Sequence, residues 1–206
     1  MKKKQALILL LILFCGFQSI VAQSSFRKLS RPEKCWVIFH PSKAKKAKKV
    51  TKEVQVVVDS IKKSGVIGTD NNGGNLDAFK HAYWMACLTL EIGSKQSLKL
   101  GRAHEKGNYL QYKKRLLEDA FLPDSISSVM DLRNNVFGVS VFGNCKNVSR
   151  ITVQKKIMDG LANGKLTVIK KDEEGNFLTC DGAVINMQIW KGKWGIPKCL
   201  IPLIYH

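Results

Sequence analysis

Asp77-Ala-Phe-Lys-His-Ala-Tyr-Trp84 sets two titratable groups into a segment that is otherwise almost wholly apolar. Asp77 and His81 stand four apart, so on a helix they share a face. At about 100° per residue, Trp84, Met85 and Leu88 fall beside them. Phe79, Ala82, Tyr83, Ala86, Cys87 and Leu90 cover the other sides, and only Lys80 and Glu91 make a wet edge. A helix apolar nearly all round is a buried one. The stretch therefore predicts a mainly α fold, a compact helical bundle around this central helix. Asp77 and His81 need partners within it, because an unpaired buried charge costs several kcal/mol or shifts its pKa.

Moving upstream, Asp70-Asn-Asn-Gly-Gly-Asn75 is a polar loop leading into the buried helix, with Asn72, Gly73 and Gly74 at its centre. Before it, Ser30-Arg-Pro-Glu33 reads as a capping box that opens a short helix through Phe39. Pro41 suits the first turn of a long helix ending near Ser64, just before Gly65. Downstream, Gly93 ends the central helix and Ser94 caps the next, which carries His104 and Glu105. Further helices are expected over Tyr109–Phe121, Ser125–Phe142 and Ser149–Leu161. After Gly164 the pattern changes, and 165–169, 176–179 and 183–190 read as short strands. This divides the chain into a leader (1–22), a helical domain (23–164) and a small β-rich extension of the same domain (165–206).

The leader comes from Lys2-Lys3-Lys4, the apolar run Ala6–Phe14 and the small residue Ala22, the pattern of a Sec signal peptide. The run is too short to span a bilayer comfortably, and no later segment reads as transmembrane. An exported protein, periplasmic or secreted, is expected. The full chain carries a formal net charge of +18, and loss of 1–22 removes three lysines and no acid, leaving +15. Such an excess draws the protein to anionic surfaces: phospholipid or lipopolysaccharide first, nucleic acid less well. The densest run, Lys43 to Lys52, includes Lys45, Lys46, Lys49 and Lys52 as candidate anion contacts. A solvated helix face explains the same run, and the absence of interleaved aromatics argues against single-stranded nucleic acid. Five cysteines follow the leader, so at least one stays unpaired within the chain. The expected pairs are Cys180–Cys199 and Cys35–Cys145, with Cys87 free on the buried helix.

A second polar anomaly lies on the helix from Ser125. Asp131 and Asn135 are four apart and share a face with Ser127, Ser128, Asn134 and Gly138. A solvated face carries Lys and Glu, whereas this stripe is small and nearly uncharged. It suits a cleft wall or a polar seam between helices.

With these residues the chain resembles an uncharacterised family of bacterial, often exported or toxin-associated, helical domains. Its marks are D-A-F-[RK]-H-A-Y-W, A-H-E and M-D-L-x-N-N-x-x-G, which stand here as Asp77–Trp84, Ala103–Glu105 and Met130–Gly138. The stretch around Trp36, His40, Pro41 and Ala44 is also similar, while Arg133 replaces a histidine common in the family. The resemblance implies a shared fold and site and brings no settled activity.

Three readings of the polar residues follow. In the first, His81 is a general base for water, oriented by Asp131 or Asp77. A divalent cation, Ca²⁺ or Zn²⁺, could assist, held by Asp77, Asp131, Glu105 and carbonyls of the Asn71–Asn75 loop, or by His81, His104 and one Asp. A histidine on a buried helix after a glycine-rich loop is similar in outline to secreted phospholipase A2, although Ala82 stands where that family has Asp. In the second, Asp77, His81, His104, Glu105, Asp131, Asn134 and Asn135 lock helices in register and do no chemistry. In the third, the protein is a non-enzymatic effector that binds envelopes through its charge.

Overall fold

The computed structural model of the protein describes residues 26–115, 121–143, 145 and 147–203. The expected leader lies outside these residues. Within them the chain is mainly helical: α1 (Arg31–Phe39), α2 (Pro41–Ser64), α3 (Asn75–Ile92), α4 (Ser94–Lys113), α5 (Ser125–Val141) and α6 (Arg150–Ala162), with β1 (Thr167–Ile169) and β2 (Leu200–Pro202) near the C-terminus.

Local chemistry accounts for most boundaries. Ser30 accepts from the Glu33 amide and the Glu33 side chain accepts from the Ser30 amide, a complete capping box. Pro41 occupies the first turn of α2, which ends at Gly65. Asp124 caps α5 through the Ile126 and Ser127 amides, and Ser149 caps α6 through that of Thr152. Gly93, rather than Ser94, is the N-cap of α4; the Ser94 hydroxyl donates instead to the Gly143 carbonyl at 3.3 Å.

Helix α3 is the axis of the bundle, packed against α2, α4, α5 and α6. Leu76, Phe79, Tyr83, Met85 and Leu88 on it are essentially inaccessible to solvent. Removing side chains of this size from water stabilises by about 1.5–3 kcal/mol each. Helix α2 covers one flank with Ala47, Val50, Val54, Val58 and Ile61, spaced three or four apart, and turns its lysines outward. Across the other flank, α5 crosses so closely that a Cβ on Gly138 would lie 2.1 Å from the Ala82 carbonyl oxygen. That contact brings the polar stripe of α5 onto the polar face of α3.

Three expectations need correcting. The chain does not break into separate helices before Tyr109: α4 runs on through Gly107 to Lys113, and Phe121 lies outside any helix. Residues 176–179 and 183–190 form only the isolated bridges Lys171–Phe177 and Leu178–Val184. β1 pairs instead with the distant Leu200–Pro202, antiparallel, with Val168 opposite Ile201. Finally, Cys180–Cys199 is a disulfide as expected, but Cys35 and Cys145 are free and exposed, as unpaired as the buried Cys87. Among the described residues no helix is long and apolar enough to cross a membrane.

Candidate functional site

The buried face of α3 meets that of α5 at Asp77, His81 and Asp131, all less than a tenth exposed. His81 Nε2 lies 3.6 Å from Asp77 Oδ1 and 3.3 Å from Asp131 Oδ1. One ligand atom from each of the three residues falls within 4.8 Å of the others. Both carboxylates thus address the same ring nitrogen, which at most carries one proton. The separations exceed the 2.7–3.2 Å of ordinary N–H···O bonds. They match the spacing of about 3.3–3.6 Å between two ligands of a tetrahedral cation bound at about 2.0–2.2 Å.

Asp77 is held from behind. Asp77 sits in the first turn of α3, where the helix dipole favours a carboxylate, and its Oδ2 accepts from the Gly73 amide at 3.0 Å. Gly73 has φ +82°, and a Cβ there would meet Ile169 Cδ1 at 2.5 Å, so the loop fits only as glycine. The Gly73 carbonyl accepts from the Ile169 amide, and Lys171 Nζ donates to the Asn72 carbonyl at 2.8 Å and to Asp70. Behind the imidazole stands the Asn135 side chain, which also fills the space beside Gly101 of α4. Burial, then the positive charges of Lys80 and His104, hold the His81 imidazole well below its ordinary 6.5, with Asn135 pulling the other way.

The centre opens on a cleft of about 40 Å³. Asn71 and Asn72 form one shore, and Phe121, Leu122, Pro123 and Ser127 the other. Lys80 stands at the rim, its Nζ 3.7 Å from Asp77 Oδ1. A void of roughly 10–15 Å³ takes one water, so this one accommodates a small ion and a water or two.

Other polar candidates from the sequence have different surroundings. His104 approaches His81 with ring centroids 6.4 Å apart, but its Nδ1 pairs with Glu33 Oε1 at 3.1 Å and its ring meets the Trp84 edge. Burial works to raise the Glu33 carboxyl, yet His104 and Ser30 together hold it below its usual value. Buried Glu105 accepts from Asn108 Nδ2 at 3.3 Å. Neither His104 nor Glu105 supplies an atom to the three-residue cluster. Asn134 faces away from it: its amide donates to the Thr167 carbonyl and accepts from the Thr167 amide, both at 2.9 Å, stitching α5 to β1. Lys45, Lys46, Lys49 and Lys52 are exposed on α2, with Lys49 loosely paired to Glu53 at 3.8 Å.

Two lysines near the site were not among the sequence candidates. Lys171 ties the Asp70–Gly74 loop, and Lys198 reaches Asp124 Oδ2 at 2.7 Å in a pair whose side chains are 3% and 4% exposed. Burial lowers the Lys198 pKa, and the Asp124 charge only partly restores it. No local sequence signal marks these lysines, since their partners lie 101 and 74 positions away.

No curated protein and no solved structure matches this chain. A family model does match, over residues 34–165, which span α1 to α6 and every residue of the buried centre. The chain accordingly belongs to the family described as a domain of unknown function, DUF6973.

Proposed function

We propose that this chain is an exported, cation-assisted hydrolase acting on an anionic envelope substrate, with phospholipid as the leading class and an antibacterial role in view. The observation that carries this is the convergence of Asp77, His81 and Asp131 on one small cleft, with His81 Nε2 at ligand spacing from both carboxylates. Two carboxylates and one imidazole suit Zn²⁺ or a similar transition cation better than Ca²⁺, which prefers an all-oxygen shell. Asp77, His81 and Asp131 would hold such a cation, which would supply a bound water with a pKa lowered toward about 7. Gly73 orients Asp77, Asn135 packs behind the His81 ring, Ser127 borders the open side, and Lys80 at the rim offers a positive charge to an anionic ester. The leader and the +15 charge after its removal suit delivery to envelope surfaces.

The alternative is a non-enzymatic envelope-binding effector whose cluster is structural. It draws support from Asn134, a member of the same polar stripe engaged wholly in architecture. Chelator-stripped protein titrated with Zn²⁺ by calorimetry, and then given phosphatidylglycerol vesicles, separates the two. A hydrolase binds one equivalent and releases fatty acid or headgroup, and His81→Ala abolishes turnover while leaving the fold intact. A protein that binds no transition cation and hydrolyses nothing, and that loses melting temperature on His81→Ala, refutes the enzyme.

A further inference from the structure

The family match ends at residue 165, yet the segment after it grips both shores of the candidate cleft. On the loop shore, Ile169 donates to the Gly73 carbonyl, and Lys171 binds Asp70 and the Asn72 carbonyl. On the α5 shore, Lys198 binds Asp124, the N-cap of α5, two turns before Asp131. The Ser125 amide donates to the Trp194 carbonyl beside it. The two lysines are joined through Phe177, whose ring centroid lies 4.7 Å from Lys171 Nζ and 3.7 Å from Lys198 Nζ. Beside Lys198, Cys199 is bonded to Cys180, its amide donates to the Leu178 carbonyl and its carbonyl accepts from the Lys170 amide.

We propose that residues 166–203 are a redox-set clamp on the Asp77–His81–Asp131 centre. With the disulfide formed, Lys171 and Lys198 hold the two shores at the spacing that seats a cation; with it reduced, Lys198 loses the covalent part of its anchor and the shores loosen. Reduction consumes two electrons and two protons, giving the Cys180 and Cys199 thiols while a dithiol closes to its own disulfide. A reducing cytoplasm thus keeps the centre loose, and an oxidising compartment assembles it. The inference rests on the centre binding a cation, so its test carries a second readout that does not.

The test uses chain lacking the leader, with Cys35→Ser and Cys145→Ser to leave Cys180–Cys199 as the sole reducible pair. The oxidised form is compared with protein reduced by a water-soluble phosphine, which takes up oxygen from water as the disulfide becomes two thiols. Zn²⁺ affinity is measured by competition, and hydrogen exchange at the Gly73 and Ser127 amides is followed without metal. Reduction is expected to weaken Zn²⁺ binding by about tenfold or more, as loss of groups supporting ligands does, and to speed exchange at both amides. Lys171→Met, whose partner Asp70 is 42% exposed and so tolerates the loss, is expected to weaken binding in the oxidised form. Unchanged affinity and unchanged exchange on reduction overturn the clamp. If neither form binds Zn²⁺, the cation centre fails and exchange alone decides: faster exchange supports the clamp, unchanged exchange overturns it.

Discussion

Gly138→Ala probes the crossing on which the whole centre depends. The new methyl would lie 2.1 Å from the Ala82 carbonyl oxygen, about 1.3 Å inside ordinary contact, and the opposing atom is backbone. No rotamer relieves it, so α5 must retreat from α3. Overpacking costs about 1–3 kcal/mol, and backbone against backbone belongs at the upper end. Alanine returns about 1 kcal/mol of helix propensity over glycine. The net loss is about 2 kcal/mol, which in a chain of this size lowers Tm by about 4–8 °C. The same retreat takes the 3.3 Å His81–Asp131 spacing to about 4 Å or more, beyond the ligand edge of a tetrahedral cation. Thermal unfolding by circular dichroism gives the first quantity, and a Zn²⁺ competition titration gives the second. A variant with parental Tm and parental affinity would show that the crossing has room to give, and the spacing reasoning would fall.

Asn134→Ala orphans the amide and carbonyl of Thr167 and should cost about 1–3 kcal/mol in urea unfolding, while Asp77, His81 and Asp131 stay in place. Reversing Lys45, Lys46 and Lys49 to Glu should reduce sedimentation with phosphatidylglycerol vesicles well beyond the effect of three scattered reversals. Binding of the parent should fade as salt passes roughly 0.1–0.2 M; equal binding by parent and variant would reduce the α2 lysines to a solvated face. Burial, with the Arg150 charge opposing, pushes the Cys87 thiol up from 9.0 to about 11. Its folded pKa is the higher one, so its contribution to stability is complete below about pH 9 and is lost as pH rises through about 11. Native protein at pH 8 should take a charged alkylating reagent at Cys35 and Cys145 and spare Cys87, as mass spectrometry would report.

The helical elements announced themselves where the deciding interactions are local. The Ser30–Glu33 box, Pro41 and the apolar surround of Asp77 and His81 each involve residues a few positions apart. The break expected before Tyr109 is absent for a physical reason: Gly107, inside α4, permits close packing, since a Cβ there would sit 2.4 Å from Ser30 Oγ. The extension was the least legible part, because β1 finds its partner more than thirty residues away and Phe177 sits in an isolated bridge under two lysines, not in a strand ladder. At the site, i, i+4 spacing put Asp77 with His81 and Asp131 with Asn135, and the wheel could not say that Asn134 turns to Thr167. His104 looked equivalent to His81 until Glu33, distant in sequence, claimed its Nδ1.

The outward edge of β1 has a consequence for how these molecules meet one another. Its groups on that side, the Thr167 amide and carbonyl and the Ile169 amide, are taken by Asn134 and by the Gly73 carbonyl. A short strand that ends a sheet ordinarily invites a strand from another chain. Here the seats are filled by a side chain of α5 and by the loop that fixes Asp77. A second molecule could add a strand at this edge only by displacing Asn134 and the Gly73 loop, and moving that loop would release the Asp77 carboxylate it holds.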